Sequence, residues 1–154
     1  MSIEVNKLSK QYGNQWAVSD ISFNIPTGQV VGFLGPNGAG KSTTMKMLTC
    51  YITPTSGSAK ISGLSVGQED MAIRKQIGYL PEHNPLYFDM YVKEYLSFVA
   101  NLCGITKNVS KHVSEMIART GLEREQSKKI GTLSKGYKQR VGMAQALMND
   151  PKVL

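Results

Sequence analysis

The 154-residue sequence contains no apolar run near the ~18 residues that a membrane-crossing helix needs. Its opening, MSIEVNKLSK, lacks the apolar core of a secretory leader. Both absences predict a chain that neither crosses a membrane nor carries an export address. Two cysteines occur, Cys50 and Cys103; they form no metal-ligand cluster and predict reduced, packed thiols. Internal repeats and low-complexity linkers are also missing. With 41% hydrophobic and 19% charged residues, the composition excludes global disorder, and the length suits one domain with a sizeable core.

What is present is first an uneven charge. The net charge is +7. Residues 1–99 carry 8 basic and 7 acidic side chains, whereas residues 100–154 carry 10 and 4. A basic half fits a polyphosphate, anionic lipid head groups or nucleic acid, and equally a solvated helical face.

Periodicity divides the chain. Ile3, Val5 and the stretch Trp16–Ile25 alternate apolar with polar, as half-buried strands do. The run QVVGFLG (29–35) is nearly all apolar and predicts a short strand buried on both faces. Helices are expected over 42–51 and 69–76, with strands over 58–62 and 77–80, the last stopped by Pro81. Beyond residue 82 the pattern becomes helical. Leu96, Val99, Ala100 and Cys103 form one apolar stripe, and Val109, Val113, Met116, Ile117 and Thr120 a second. Val141, Ala144, Leu147 and Met148 mark a third helix, entered from Ser134. His83 reads as an exposed loop residue and His112 as a solvated one.

The segment GPNGAGKST (35–43) matches G-x-x-x-x-G-K-[ST] through Gly35, Gly40, Lys41 and Ser42. Glycines let consecutive N–H groups of Asn37, Gly38, Ala39 and Gly40 turn into one hollow, a nest for phosphate oxygens. The helix that follows adds its N-terminal dipole. Lys41 is placed to reach the β- and γ-phosphates, the Ser42 hydroxyl to hold Mg²⁺, and the Thr43 N–H to reach the α-phosphate. The motif follows an apolar run and opens a helix, the context this chemistry requires.

A second glycine motif, LSKGYKQRVGMAQAL (133–147), lies about ninety residues further on. With the phosphate loop, it resembles the signature of ATP-binding cassette (ABC) ATPases, and the likeness covers the whole chain. Tyr12, followed by Gly13 and 23 residues before Gly35, stands where that family stacks an aromatic on adenine. GYLPEHNPLY (78–87) resembles the loop that joins the family's core to its helical subdomain. LSKGY and YLPE are most similar to ATPase subunits of ABC-2 exporters, and PEHNPLY to gliding-motility-associated members.

The resemblance implies an α/β fold: a P-loop NTPase core with an antiparallel β subdomain and a helical subdomain. Residues 1–81 would be the N-terminal part of the core, 82–150 the helical subdomain with the signature, and 151–154 the start of the Walker B strand. The cofactors implied are ATP and Mg²⁺, the metal being held by Ser42 and Glu82. The partners implied are a membrane-spanning transporter subunit and a second cassette, at the cytoplasmic face of the cell membrane. Leu133, Ser134, Lys135, Gly136 and Tyr137 would then close on ATP held by that second cassette. The residues alone support an anion site there, formed by an N-capping Ser134 hydroxyl, the Gly136 N–H and the helix dipole; that it closes on ATP of a second cassette is what the resemblance implies.

Three positions depart from the commonest family pattern. Lys135 and Tyr137 replace a Gly and a Gln, but neither position supplies the serine hydroxyl or the second glycine N–H. Glu82 replaces a Gln; a carboxylate is a harder metal ligand and adds negative charge near the γ-phosphate. The ending NDPKVL (149–154) reads as a turn followed by the first residues of a strand. The family's Walker B aspartate, catalytic glutamate and switch histidine would all follow it, so the expectation is an incomplete ATPase with no catalytic residue of its own. Two alternatives stay open: a soluble ABC-type ATPase acting on nucleic acid or ribosomes, and a short non-catalytic nucleotide-binding module.

Overall fold

The computed structural model describes residues 2–154. Two compact units divide after Lys75.

In the first unit, strands β1 (Ile3–Tyr12), β2 (Gln15–Ile25), β3 (Ser56–Ile61) and β4 (Leu64–Ser65) make an antiparallel sheet in the order β2-β1-β3-β4. Helix α1 (Lys41–Leu48) and the short helix α2 (Asp70–Arg74) complete it. Val5 pairs with Phe23 on one side and Ala59 on the other, which puts alternate apolar residues on one face. Val5, Leu8, Val18, Met47, Leu48, Ile61 and Ile73 are buried. The ladder is interrupted between Val5 and Leu8, where Lys7 has φ +47. Two hydroxyls take over the freed backbone donors there: Lys7 N–H donates to Ser22 Oγ and Asp20 N–H to Ser9 Oγ, both at 2.8 Å. Cys50 is buried after α1, and burial with the Asp70 carboxylate beside it pushes its thiol up to about 12. It therefore stays a protonated, inert thiol.

The run 29–35 is not the buried strand its composition predicts. It forms no strand, and Val30, Val31 and Leu34 are exposed. The cause is the lack of a neighbour: among the described residues no strand lies alongside it. An apolar run becomes a buried strand only where others cover both its edges and faces.

In the second unit, helices α3 (Val92–Leu102), α4 (Val109–Thr120) and α5 (Lys135–Leu147) pack around Leu96, Val113, Ile117, Leu122, Ile130, Val141, Ala144 and Met148, all fully buried. Apart from Cys103 and Thr120, the residues of the three apolar stripes lie in or against this core. Helix α3 starts with Tyr91 N–H donating to Glu94 Oε2 at 3.1 Å. Helix α4 ends on Gly121 at φ +65, with Leu122 N–H closing back on Ile117 O at 2.9 Å.

Here three expectations fail. Cys103 follows the last turn of α3 and is exposed, so it belongs to no packed stripe. The strand expected over 77–80 is one parallel bridge, Ile77 to Val153, flanked by Gly78 N–H donating to Val153 O and Lys152 N–H to Gln76 O, each at 2.8 Å. His112 is half-buried rather than solvated. Its Nε2, as the Nε2–H tautomer, donates to Met148 O at 2.8 Å, satisfying a carbonyl at the end of α5.

Tyr95, buried on α3, donates its hydroxyl to Gln145 Oε1 on α5 at 2.7 Å, and burial holds the phenol above its ordinary range. Tyr95→Phe leaves the Gln145 amide oxygen short of a donor while keeping the ring. The expected loss is about 1 kcal/mol of unfolding free energy, read from a urea titration at unchanged m-value.

Candidate functional site

The phosphate-loop segment lies in the first unit, between the exposed run and α1. Its backbone turns sharply because Gly38 and Gly40 adopt φ +83 and +81, conformations that side chains disfavour. Gly40 is the N-cap of α1, and its carbonyl accepts from both Thr44 N–H (2.8 Å) and Thr44 Oγ1 (3.0 Å). Thr44 is itself buried, which anchors the first turn to the sheet side. Space at Gly40 is closed as well: a Cβ there would lie 2.3 Å from Ala17 O and 2.7 Å from Val18 Cγ2.

Within the loop, Ala39 N–H donates to Pro36 O at 3.2 Å. The N–H groups of Asn37, Gly38, Gly40, Lys41, Ser42 and Thr43 meet no protein acceptor among the described residues. Six consecutive or near-consecutive donors at a helix N-terminus constitute an anion cradle. The Lys41 ammonium reaches back over the loop, donating to Gly35 O at 2.6 Å and Pro36 O at 2.7 Å. The Ser42 hydroxyl is exposed at the mouth of the first turn.

Tyr12 ends β1 at a two-residue hairpin turn, with Gly13 at φ +55 as the first turn position requires. Its ring is half exposed, and Lys10 Nζ stands 5.3 Å from the ring centroid. Trp16, paired opposite Gln11, is a second half-exposed aromatic at the same hairpin. The strand alternation conceals it, because Trp16 falls within the stretch read simply as half-buried.

The second unit carries the other motif. Leu133 is buried and fixes the start of the segment. Ser134 caps α5, its Oγ accepting from Tyr137 N–H at 3.4 Å. The N–H groups of Lys135 and Gly136 meet no protein acceptor among the described residues, and a Cβ on Gly136 would find only Ser134 Oγ, at 4.0 Å. This helix start is therefore open and electropositive.

The basic excess around it is partly committed elsewhere. Arg140 donates to Gly121 O at 3.2 Å and lies over the Tyr137 ring, Lys138 lies over Phe88, and Lys128 pairs with Glu125 at 2.8 Å. Lys135, exposed in the first turn, is the cation nearest in sequence to the cap. Glu82 is exposed, its carbonyl accepting from Gln139 Nε2 at 3.4 Å. His83 is exposed, as its loop position predicts.

A glycine cradle opening a helix under a lysine defines a P-loop nucleotide-binding protein, and the folds of solved proteins agree. The ATP-binding subunit of an ABC transporter superposes with a TM-score of 0.85 at 30% identity, over 98% of this chain and 63% of that one. The dimeric bacterial ABC transporter cassette MJ0796 gives 0.84 at 27%, over 97% and 70%. The family model described as ABC transporter matches residues 18–154, and the chain belongs to that family. An uncharacterized ABC transporter ATP-binding protein of Bacillus subtilis, YxlF, is 40% identical over 99% of this chain and 50% of its own length. The bacitracin transport ATP-binding protein BcrA of Bacillus licheniformis is 38% identical over 99% and 49%. The chain thus spans about half the length of these curated relatives.

Proposed function

We propose that this chain is the ATP-binding part of a subunit that powers export through a membrane-spanning partner, working at the cytoplasmic face of the membrane. The observation that carries the reading is the cradle of six unpaired N–H groups at the start of α1, under the Lys41 ammonium. Such a cradle fits a triphosphate: many short donors, one cation on a long side chain and no acidic side chain in the first turn. The Ser42 hydroxyl and the Glu82 carboxylate are hard oxygen donors, the kind Mg²⁺ takes together with phosphate oxygens. Tyr12 offers a ring face to the adenine, worth about 1 kcal/mol as a stacking contact.

The open start of α5 is the second half of the reading. Leu133, Ser134, Lys135, Gly136 and Tyr137 present the Ser134 hydroxyl and two free N–H groups to the terminal phosphate held by another cassette. Residues 82–150 then serve as the helical subdomain, and residues 151–154 begin the strand that leads to the hydrolytic residues. The complete protein is on this reading an ATPase that closes as a head-to-tail pair. The relatives named for bacitracin transport and for Nod factor export favour a transport role for the partner, the second in the export direction.

Two measurements on the complete protein test this. Co-purification from membranes should recover a multi-span protein; recovery of ribosomes or nucleic acid in a salt-sensitive complex instead would overturn the export reading. Ser134→Phe should leave ATP binding by the monomer unchanged and weaken ATP-driven dimerisation by at least about tenfold, since the ring covers the donors of α5. Unchanged dimerisation in a light-scattering titration would rule out the role assigned to α5.

A further inference from the structure

The segment Gly78–Asn84 carries Glu82 and follows one face of α5. A Cβ on Gly78 would lie 2.3 Å from Ala146 O, so the two backbones are in close contact. Further along, Leu80 Cδ1 lies 2.6 Å from where a Cβ on Gly142 would sit, and Gln139 Nε2 donates to Glu82 O at 3.4 Å. Residues 139, 142 and 146 are spaced three and four apart, a single stripe of the helix. The chain then turns back, and the Asn84 side chain fills the space over Gly142. A Cβ at 142 would lie 1.6 Å from Asn84 Nδ2 and 2.8 Å from Asn84 Cγ. Leu86 N–H donates to Asn84 O at 2.9 Å, and Leu86 is buried in the helical core, which ties down the far end.

Asn84 Nδ2 is buried and has no hydrogen-bond partner. The amide is therefore held by shape rather than by a bond, and the shape exists because residue 142 has no side chain. An unpaired buried amide is a cost that nothing within the helical unit repays. An alanine at 142 and the asparagine at 84 compete for one volume.

We infer that Asn84 and Gly142 form a lock that fixes the Glu82 loop on the signature helix, making both positioning residues for Glu82. The inference rests on the metal role proposed above for Glu82. The loop and the phosphate-facing start of α5 then move as one body.

The experiment is a double-mutant cycle in the complete protein. A spin label on His83→Cys, in a Cys103→Ser background, reports the loop directly, and the Mg²⁺ concentration for half-maximal ATPase activity reports Glu82. Asn84→Ala and Gly142→Ala should each sharpen the label spectrum and raise the Mg²⁺ requirement, by about tenfold for Gly142→Ala, the scale of losing an outer-shell support. Metal-free ATP binding should not change. In the Asn84→Ala/Gly142→Ala pair the alanine methyl occupies the volume Asn84 vacates, and only the end of the Leu80 side chain, 2.6 Å from that Cβ, must turn aside, so both readouts should return toward wild type. Additive loosening, or a Gly142→Ala label as immobile as wild type, would overturn the lock. Glu82→Ala, which removes the side-chain oxygens altogether, separates the two readings. A Mg²⁺ shift in Glu82→Ala with none in Gly142→Ala overturns the positioning role. No shift in Glu82→Ala removes the metal role itself, and with it the claim that the lock positions Glu82 for metal.

Discussion

Lys41→Ala in the complete protein should weaken ATP binding by roughly 100-fold or more and abolish turnover at millimolar ATP. Two effects of the lysine combine. Each charge-assisted hydrogen bond from the ammonium to a phosphate oxygen contributes about 1.5–3 kcal/mol, and the side chain has donors for two or three. The second effect comes from the loop. Lys41 Nζ covers Gly35 O and Pro36 O, so its removal leaves two carbonyl oxygens, partial negative charges, beside the triphosphate. The alanine variant therefore loses an attraction and uncovers a repulsion.

Folding should be spared, because Lys41 is only half-buried and its alkyl stem fills no core volume. Titration with a fluorescent ATP analogue checks this against the urea midpoint of the same variant. A dissociation constant within twofold of wild type would remove Lys41 from the site. Lys41→Arg is the sharper companion. It keeps the charge, but its planar fork cannot sit as a point donor over two carbonyls, so most of the loss should persist.

Local chemistry was legible in the chain wherever the physics is local. The stripe Leu96, Val99 and Ala100 depends only on helical spacing, and all three are buried in α3. Ser134 before α5 and the glycines before α1 declare themselves because a cap and a positive φ are single-residue requirements. What escaped depends on partners distant in sequence. The run 29–35 has the composition of a buried strand, yet strand formation is a property of neighbours, and none of the described residues supplies one. His112 lies off its own helix's stripe, and its acceptor at Met148 is 36 residues away. Cys103 fits the i+7 position, but α3 ends one residue earlier. The Asn84–Gly142 fit was hidden for the same reason, since a glycine inside a helical pattern reads as a cost until something is found occupying its side-chain volume.

Gly40→Ala should be the most damaging single methyl in the phosphate loop, and Gly38→Ala its natural control. Both glycines have φ slightly above +80, so either alanine costs about 1–2 kcal/mol for the left-handed conformation. At Gly38 that is the whole cost, because a Cβ there meets nothing within 4 Å. At Gly40 the Cβ would lie 2.3 Å from Ala17 O and 2.7 Å from Val18 Cγ2. Ala17 O belongs to the backbone of β2 and cannot rotate away, so the helix start must shift, adding about 1–3 kcal/mol of overpacking strain. Since Gly40 also caps α1, that shift re-aims the Lys41, Ser42 and Thr43 N–H groups together. Gly40→Ala should therefore lose about 2–5 kcal/mol of stability and most of its ATP affinity. Gly38→Ala should lose less stability and keep the aim of the first helical turn. Paired urea and nucleotide titrations of the two variants isolate the contact with β2, because the φ penalty cancels between them. Equal losses in both variants would mean that the close approach of Gly40 to Ala17 plays no part in holding the cradle.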